Sequence, residues 1–359
     1  MGPATEFVPR RRVVLGLLGG LLASVGGWYS TVLQSRDAAP SLPLEHVGDF
    51  KLPGGVSRWD YLSFDPLRSV VYAAHLGDDA IVVFDAKHKS VRRVVENLSR
   101  VHGTLYVPEL DRLYVTATGS REVVALNPKT LDVVARVPAG LYPDGMAYAP
   151  EVNKLYVSDE YGRAAIVINA GTNKVLTSIA LGGSAGNSQY DTGARQILVN
   201  VQSKGVLAVI DPSTDKIVER IPLDGADGNH GLLVIPERRL ALIACDGNDR
   251  LLALDLRSRR LLNTFSVGHD PDVLAYDAQL GYVYVVGEAG VMSVFQIGAR
   301  GITKIGEGTV GPDGHSVAVD PLSHEIYVPL TKLNGSPTMR VMRPAALASP
   351  SNHQPPSDE

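Results

Sequence analysis

The chain has one cysteine, Cys245, in 359 residues. A single thiol can form neither an internal disulfide nor a thiolate metal cluster, so the fold must be held by its core. Aromatic residues are scarce, at 6%, and charged residues amount to only 20%. The net charge is −4, so no general basic excess exists to neutralise phosphates, and broad electrostatic binding of nucleic acid is not expected. No Gly-x-Ser-x-Gly elbow occurs. Gly182-Gly183-Ser184-Ala185-Gly186 has the look of a phosphate loop, but it precedes a strand-like run rather than a helix. No stretch of 10–15 residues with helical periodicity separates the β-prone runs, which argues against a parallel α/β sheet. What is abundant is hydrophobic residue, 45%, together with 36 glycines and 23 prolines. That composition belongs to a large, turn-rich globular domain.

The beginning of the chain reads as an address. Arg10-Arg11-Arg12 precedes an uncharged run from Val13 to Leu33 that is interrupted by five glycines. A basic start, an apolar centre and small residues near Ser24 and Gly26 predict an export signal or membrane anchor over 1–33. The paired arginines resemble a twin-arginine signal. The bulk of the protein is then expected in the periplasm or another extracytoplasmic space, touching the membrane only through this segment if it is retained. Residues 34–43 read as a linker, and 344–359, rich in Pro and Ser, as a disordered tail.

Between these ends one pattern recurs. It appears as Arg112-Leu113-Tyr114-Val115, Lys154-Leu155-Tyr156-Val157, Tyr282-Val283-Tyr284-Val285 and Glu325-Ile326-Tyr327-Val328. Weaker copies are Val71-Tyr72-Ala73, Ile197-Leu198-Val199 and Leu240-Ala241-Leu242. The aligned positions 72, 114, 156, 198, 241, 284 and 327 are 42 or 43 residues apart. Each unit holds four short β-prone runs, with an Asx-type turn such as Asn127-Pro128-Lys129-Thr130 or Asp211-Pro212-Ser213-Thr214 between the third and fourth. Four strands per 40–45 residues define a propeller blade. The predicted fold is all-β: a seven-bladed β-propeller over 44–343. Its last unit lacks a fourth strand, and the run around Phe50-Lys51-Leu52 is expected to supply it, closing the ring.

The Tyr-Val-Thr of residues 114–116, the Asp/Asn turns and the 42-residue period resemble the YVTN-type repeats of the YncE-like family. The resemblance covers about 44–343. It implies an exported bacterial propeller and leaves activity open, because related propellers include binding scaffolds and metal-dependent lactonases.

Chemistry is expected at the mouth of the central channel, where the innermost strands begin. Twelve residues before the aligned positions stand Asp60, His102, Asp144, Gly186, Asn229, Asp272 and His315, with His230 next to Asn229. The ends of the second strands add His75, Asp159, Glu160, Asn200, Asp246 and Glu288. One reading makes these groups structural, satisfying backbone at a narrow mouth. A second makes the mouth a binding site for a small polar ligand or a protein or peptide partner. A third makes the protein a hydrolase of lactones or esters: a divalent metal on Asp60, His102, Asp144 and His315 would polarise a carbonyl, with Asp144 or Glu160 as base. Trp59, Tyr61 and Tyr142 are expected to pack between blades, with stacking at the mouth as the alternative. Cys245, at a strand end, is expected to be a packed thiol.

Overall fold

A computed structural model describes residues 41–345. The predicted export segment and all but the last three residues of the predicted linker lie outside the described residues, as does nearly all of the predicted tail. Within the described residues twenty-eight strands form seven antiparallel sheets of four. In six of them the four strands are consecutive in sequence. The seventh is composite: Ala318–Val319 is innermost, then Ile326–Leu333 and Ser336–Pro344, and Leu44–Lys51 takes the outer position. The first strand therefore pairs with the last, from Leu44 opposite Pro344 to Lys51 opposite Thr338, and the ring has no open seam.

The hydrophobic runs have a simple cause. Second strands such as Val70–His75 and Leu240–Cys245 are buried along their whole length, because each blade is covered on both faces by its neighbours. The core is accordingly split among seven seams. One cluster joins Tyr72 and Val83 of blade one to Leu113 and Val124 of blade two, and equivalent clusters follow at each boundary round the ring. Cys245 is buried within one of them, where burial pushes its thiol up to about 12.

The repeated tyrosine is a seam device. The Tyr114 hydroxyl donates to the Ala170 carbonyl at 3.3 Å, and that of Tyr156 to Asp215 at 2.6 Å. Both acceptors lie in the Asx turn of the following blade. These turns close as the sequence predicts, with Asn127 Oδ1 accepting from the amides of Lys129 and Thr130. On the same side, several first-to-second-strand connections are 3-10 turns that start at proline and end on a left-handed residue. Examples are Pro108–Leu110 before Asp111 (φ 43°) and Pro150–Val152 before Asn153 (φ 52°).

The opposite side carries the mouth, and its geometry is set by a repeated irregularity. Each innermost strand of blades two to six has a register shift near its start: between Val101 and Thr104, Pro143 and Met146, Ala185 and Ser188, Asn229 and Gly231, and Pro271 and Val273. A bulge adds a residue on one strand and re-aims side chains at a rim. The extra residues here include His102, Asp144, His230 and Asp272. Two glycines let the strands close up: a Cβ on Gly103 would stand 2.5 Å from the Asp144 carbonyl oxygen, and one on Gly231 2.1 Å from that of Asp272.

Candidate functional site

A cavity of about 580 Å³ opens at this mouth. Of the residues expected there, Asp60, His102, Asp144, Glu160, His230, Asp246, Asp272 and Glu288 line it. Arg58, Arg100, Gln202 and Asp270 join them, and so do Tyr61 and Tyr142, which turn into the cavity rather than only packing between blades. Seven carboxyl groups thus face two guanidinium groups and two imidazoles.

Three of the expected acids and histidines are placed elsewhere. His75 is buried and stacks on Trp59 with ring centroids 3.8 Å apart, and its Nε2 lies 2.9 Å from Ser57 Oγ. Asp159 accepts from the amides of Leu141, Tyr142 and Gly162, so it ties the rim loops together. His315 is buried behind the wall; its Nδ1 is 3.1 Å from the Asp313 carbonyl and its Nε2 has no partner among the described residues. Asn200 is likewise structural, donating to the carbonyls of His230 and Gly231 at 3.0 Å.

The imidazoles that do reach the cavity are both committed. The amide nitrogen of Gln202 donates to Glu160 and to the Ala185 carbonyl, so its oxygen faces His230. Nδ1 of His230, 2.9 Å from that oxygen, is therefore the protonated nitrogen. Its Nε2 accepts from the Tyr61 hydroxyl at 3.0 Å, between Asp144 and Asp272 at 3.7 Å each. His102 repeats the arrangement: Nδ1 donates to the Arg100 carbonyl at 2.8 Å, and Nε2 accepts from Tyr142 at 2.9 Å.

The electrostatics follow from burial under crowded negative charge. Burial pushes Asp60 well above the usual carboxylate range, helped by Asp144 and Asp272. Burial likewise raises Asp144, although His230 and His102 pull it down. Glu160 is pushed up to about 7 by burial and by Asp144. Burial would lower His230, but Asp272, Asp144, Glu160 and Asp246 outweigh it and raise the ring above its ordinary value. In His102 burial prevails and the value falls. Arg58 spans one side, with Nη1 2.7 Å from Glu288 and Nε 3.7 Å from Asp60. Asp144 is 3% exposed, and its Oδ1 has no hydrogen-bond partner among the described residues; Asp272 Oδ1 also has none.

The expected metal set does not converge. Among the described residues, the only three His, Cys, Asp or Glu side chains whose ligating atoms lie within 4.8 Å of one another are Asp249, His269 and Asp270. Asp60, His102, Asp144 and His315 form no such group, since they come from four different blades, one, two, three and seven.

Fold and site together define a seven-bladed β-propeller with an acidic channel mouth. No family model and no curated protein sequence matches the chain. Among solved structures it is similar to the hydrazine synthase of Kuenenia stuttgartiensis, with a TM-score of 0.67 at 14% identity over 78% of this chain and 94% of that one. It is also similar to a chain of the mitotic checkpoint complex, with a TM-score of 0.70 at 11% identity over 93% of this chain and 98% of that one. These likenesses are of fold alone.

Proposed function

We propose that this protein is a binding scaffold of the YVTN-repeat, YncE-like type, acting outside the cytoplasmic membrane and capturing a cationic ligand in its channel mouth. The basic start and apolar run of residues 10–33 support export, and the tyrosine repeat supports the family. One observation carries the ligand's sign. The Asp144 carboxylate is buried at the cavity wall, and its Oδ1 meets no donor among the described residues. A buried polar atom left without a partner costs about 1–3 kcal/mol, more when charged, and a cationic donor in the cavity removes that cost. Charge balance at the wall points the same way. The hydrolase reading draws no support from a mouth whose imidazoles are both engaged and whose metal candidates are dispersed.

The test is a thermal-shift series at low salt with organic cations and anions of similar size. Cations are expected to raise the melting temperature, and the effect should shrink as salt is added. Stabilisation by anions, with none by cations, would overturn the assignment.

A further inference from the structure

Resting on the reading of the mouth as a cation site, we propose that its ligand is a linear polyamine, a chain of ammonium groups separated by methylenes. The argument is one of spacing. A calcium ion gathers six to eight oxygens at about 2.3–2.6 Å, so its site needs ligands aimed at one point. The cavity does the opposite: bulges on blades two, three, five and six each supply one side chain, Asp144 and Asp272 each stand 3.7 Å from Nε2 of His230, and among the described residues no three carboxyl or imidazole groups of the cavity bring ligating atoms within 4.8 Å of one another. Glu160 and Asp246 extend the same negative wall. Charge spread in this way is matched by several charges on a flexible chain better than by one ion.

Arg58 shows how the wall receives an organic cation. It lies along the blade-one side, with Glu288 at 2.7 Å and Asp60 at 3.7 Å. Asp144 and Asp272 have no such hydrogen-bonded guanidinium among the described residues, and Asp144 Oδ1 is buried and unpartnered there. A ligand ammonium at Asp144 and a second at Asp272 would do for these acids what Arg58 does for Glu288. The stretches between charges also find suitable surface. Leu76 and the rings of Tyr61 and Tyr142 line the cavity, and Tyr161 packs on Tyr142 with centroids 4.2 Å apart. Aromatic faces accept both methylenes and ammonium groups.

The probe is spermidine, titrated calorimetrically into the purified protein at low salt, beside butylamine and calcium chloride. One spermidine per chain is expected, at least about tenfold tighter than butylamine or calcium, since each added charge-assisted hydrogen bond contributes about a factor of ten or more. Asp144→Asn and Asp272→Asn should each weaken spermidine by about tenfold while both proteins keep the wild-type circular dichroism spectrum. Asn is nearly isosteric with Asp, so neither substitution leaves a void, and the two variants check each other. Calcium or butylamine binding as tightly as spermidine, with the same dependence on Asp144, would overturn the polyamine while leaving the cation site. Spermidine binding that ignores both substitutions would overturn the polyamine site in the mouth. No binding by any of the three cations would overturn both readings together.

Discussion

The Tyr61 hydroxyl lies 3.0 Å from Nε2 of His230, although the two residues stand on blades one and five, as far apart as a seven-membered ring allows. The contact spans the channel. Tyr61 lines both the mouth and a smaller cavity of about 190 Å³ further down, so this hydrogen bond forms part of the floor between them. It also sets the charge on His230, because a hydroxyl donating to Nε2 favours the neutral ring. Tyr61→Phe removes that donor and leaves Nε2 facing Asp144 and Asp272, with Glu160 and Asp246 beyond. The His230 pKa should then rise further, because the neutral ring loses a hydrogen bond while the carboxyl groups that favour the charged ring remain. Proton NMR titration of the imidazole Cε1–H measures it. An unchanged or lower value would show that the hydroxyl does not hold the ring neutral.

Cation capture in this mouth should strengthen as pH rises. Burial raises Asp60 and Asp144 and pushes Glu160 up to about 7, so near neutrality the empty mouth holds protons that a cation must displace. His230, raised by the surrounding carboxyl groups, carries its own charge at lower pH and repels the ligand. Both effects have the same sign. Affinity for spermidine is expected to grow about tenfold between about pH 6 and about pH 8, with proton release that calorimetry in buffers of different ionisation enthalpy detects. Affinity that falls over this interval would place the binding groups elsewhere.

Glu160 also makes a stability prediction. Its folded value of about 7 lies above the ordinary 4.5, so the folded state keeps a proton that the unfolded chain releases. The native state therefore loses stability as pH rises from about 4.5 to about 7, and gains none back above that. Glu160→Gln does not titrate, and its amide oxygen can still accept from Gln202. The variant should match the wild type near pH 4.5 and exceed it by about 1 kcal/mol at pH 8, a figure discounted for the group's partial exposure, or about 2 °C in melting temperature. Melting curves at the two pH values decide it; a gap that is the same at both would refute the assignment.

The ring was legible because a seam device must repeat once per blade. A tyrosine that reaches the next blade's turn has to recur at the blade's own period, and positions 114 and 156 show it outright. Much of the mouth was legible for the same reason, since the bulge that aims His102 or Asp144 recurs in register with that tyrosine. Arg58, Arg100 and Asp270 also keep the period, each standing two residues before Asp60, His102 and Asp272, and Gln202 follows position 198 by four as Glu160 follows 156; the period could have found them had those offsets been read. Asp159 and Glu160 show a different limit. They are neighbours of like charge at one strand end, yet one faces loop amides and the other the cavity. A signal did exist: a Cβ on Gly140 or Gly162 would fall within 2.0 Å of Asp159 Oδ2, so these glycines cage that carboxylate. The tyrosines were harder, because Trp59 and Tyr61 sit two residues apart and only the fold shows that the first packs on His75 while the second enters the mouth.

Closure of the ring makes the last prediction. Beyond the strand Leu44–Lys51, residues 41–43 cross the outer strand of blade six, Gly301–Thr309, with Leu42 packed on the core shared by blades six and seven. Gly306 permits the crossing: a Cβ there would stand 2.5 Å from Pro43 Cδ and 2.6 Å from the Ser41 carbonyl oxygen. Gly306 does not have a left-handed φ, so a methyl group acts through contact and not through backbone strain. Gly298, on the same hairpin, is the internal control, because its Cβ would meet nothing closer than 3.9 Å. Gly306→Ala should lift the segment from blade six and cost about 2 kcal/mol, combining overpacking with lost burial of Leu42. Gly298→Ala should be close to neutral. In thermal melts the first variant is expected about 4 °C below the second. Limited proteolysis should cut the first variant sooner near residues 41–43. If the two variants melt together and are cut alike, the segment contributes nothing to closure, and the pairing of Leu44–Lys51 with Ser336–Pro344 must hold the ring alone.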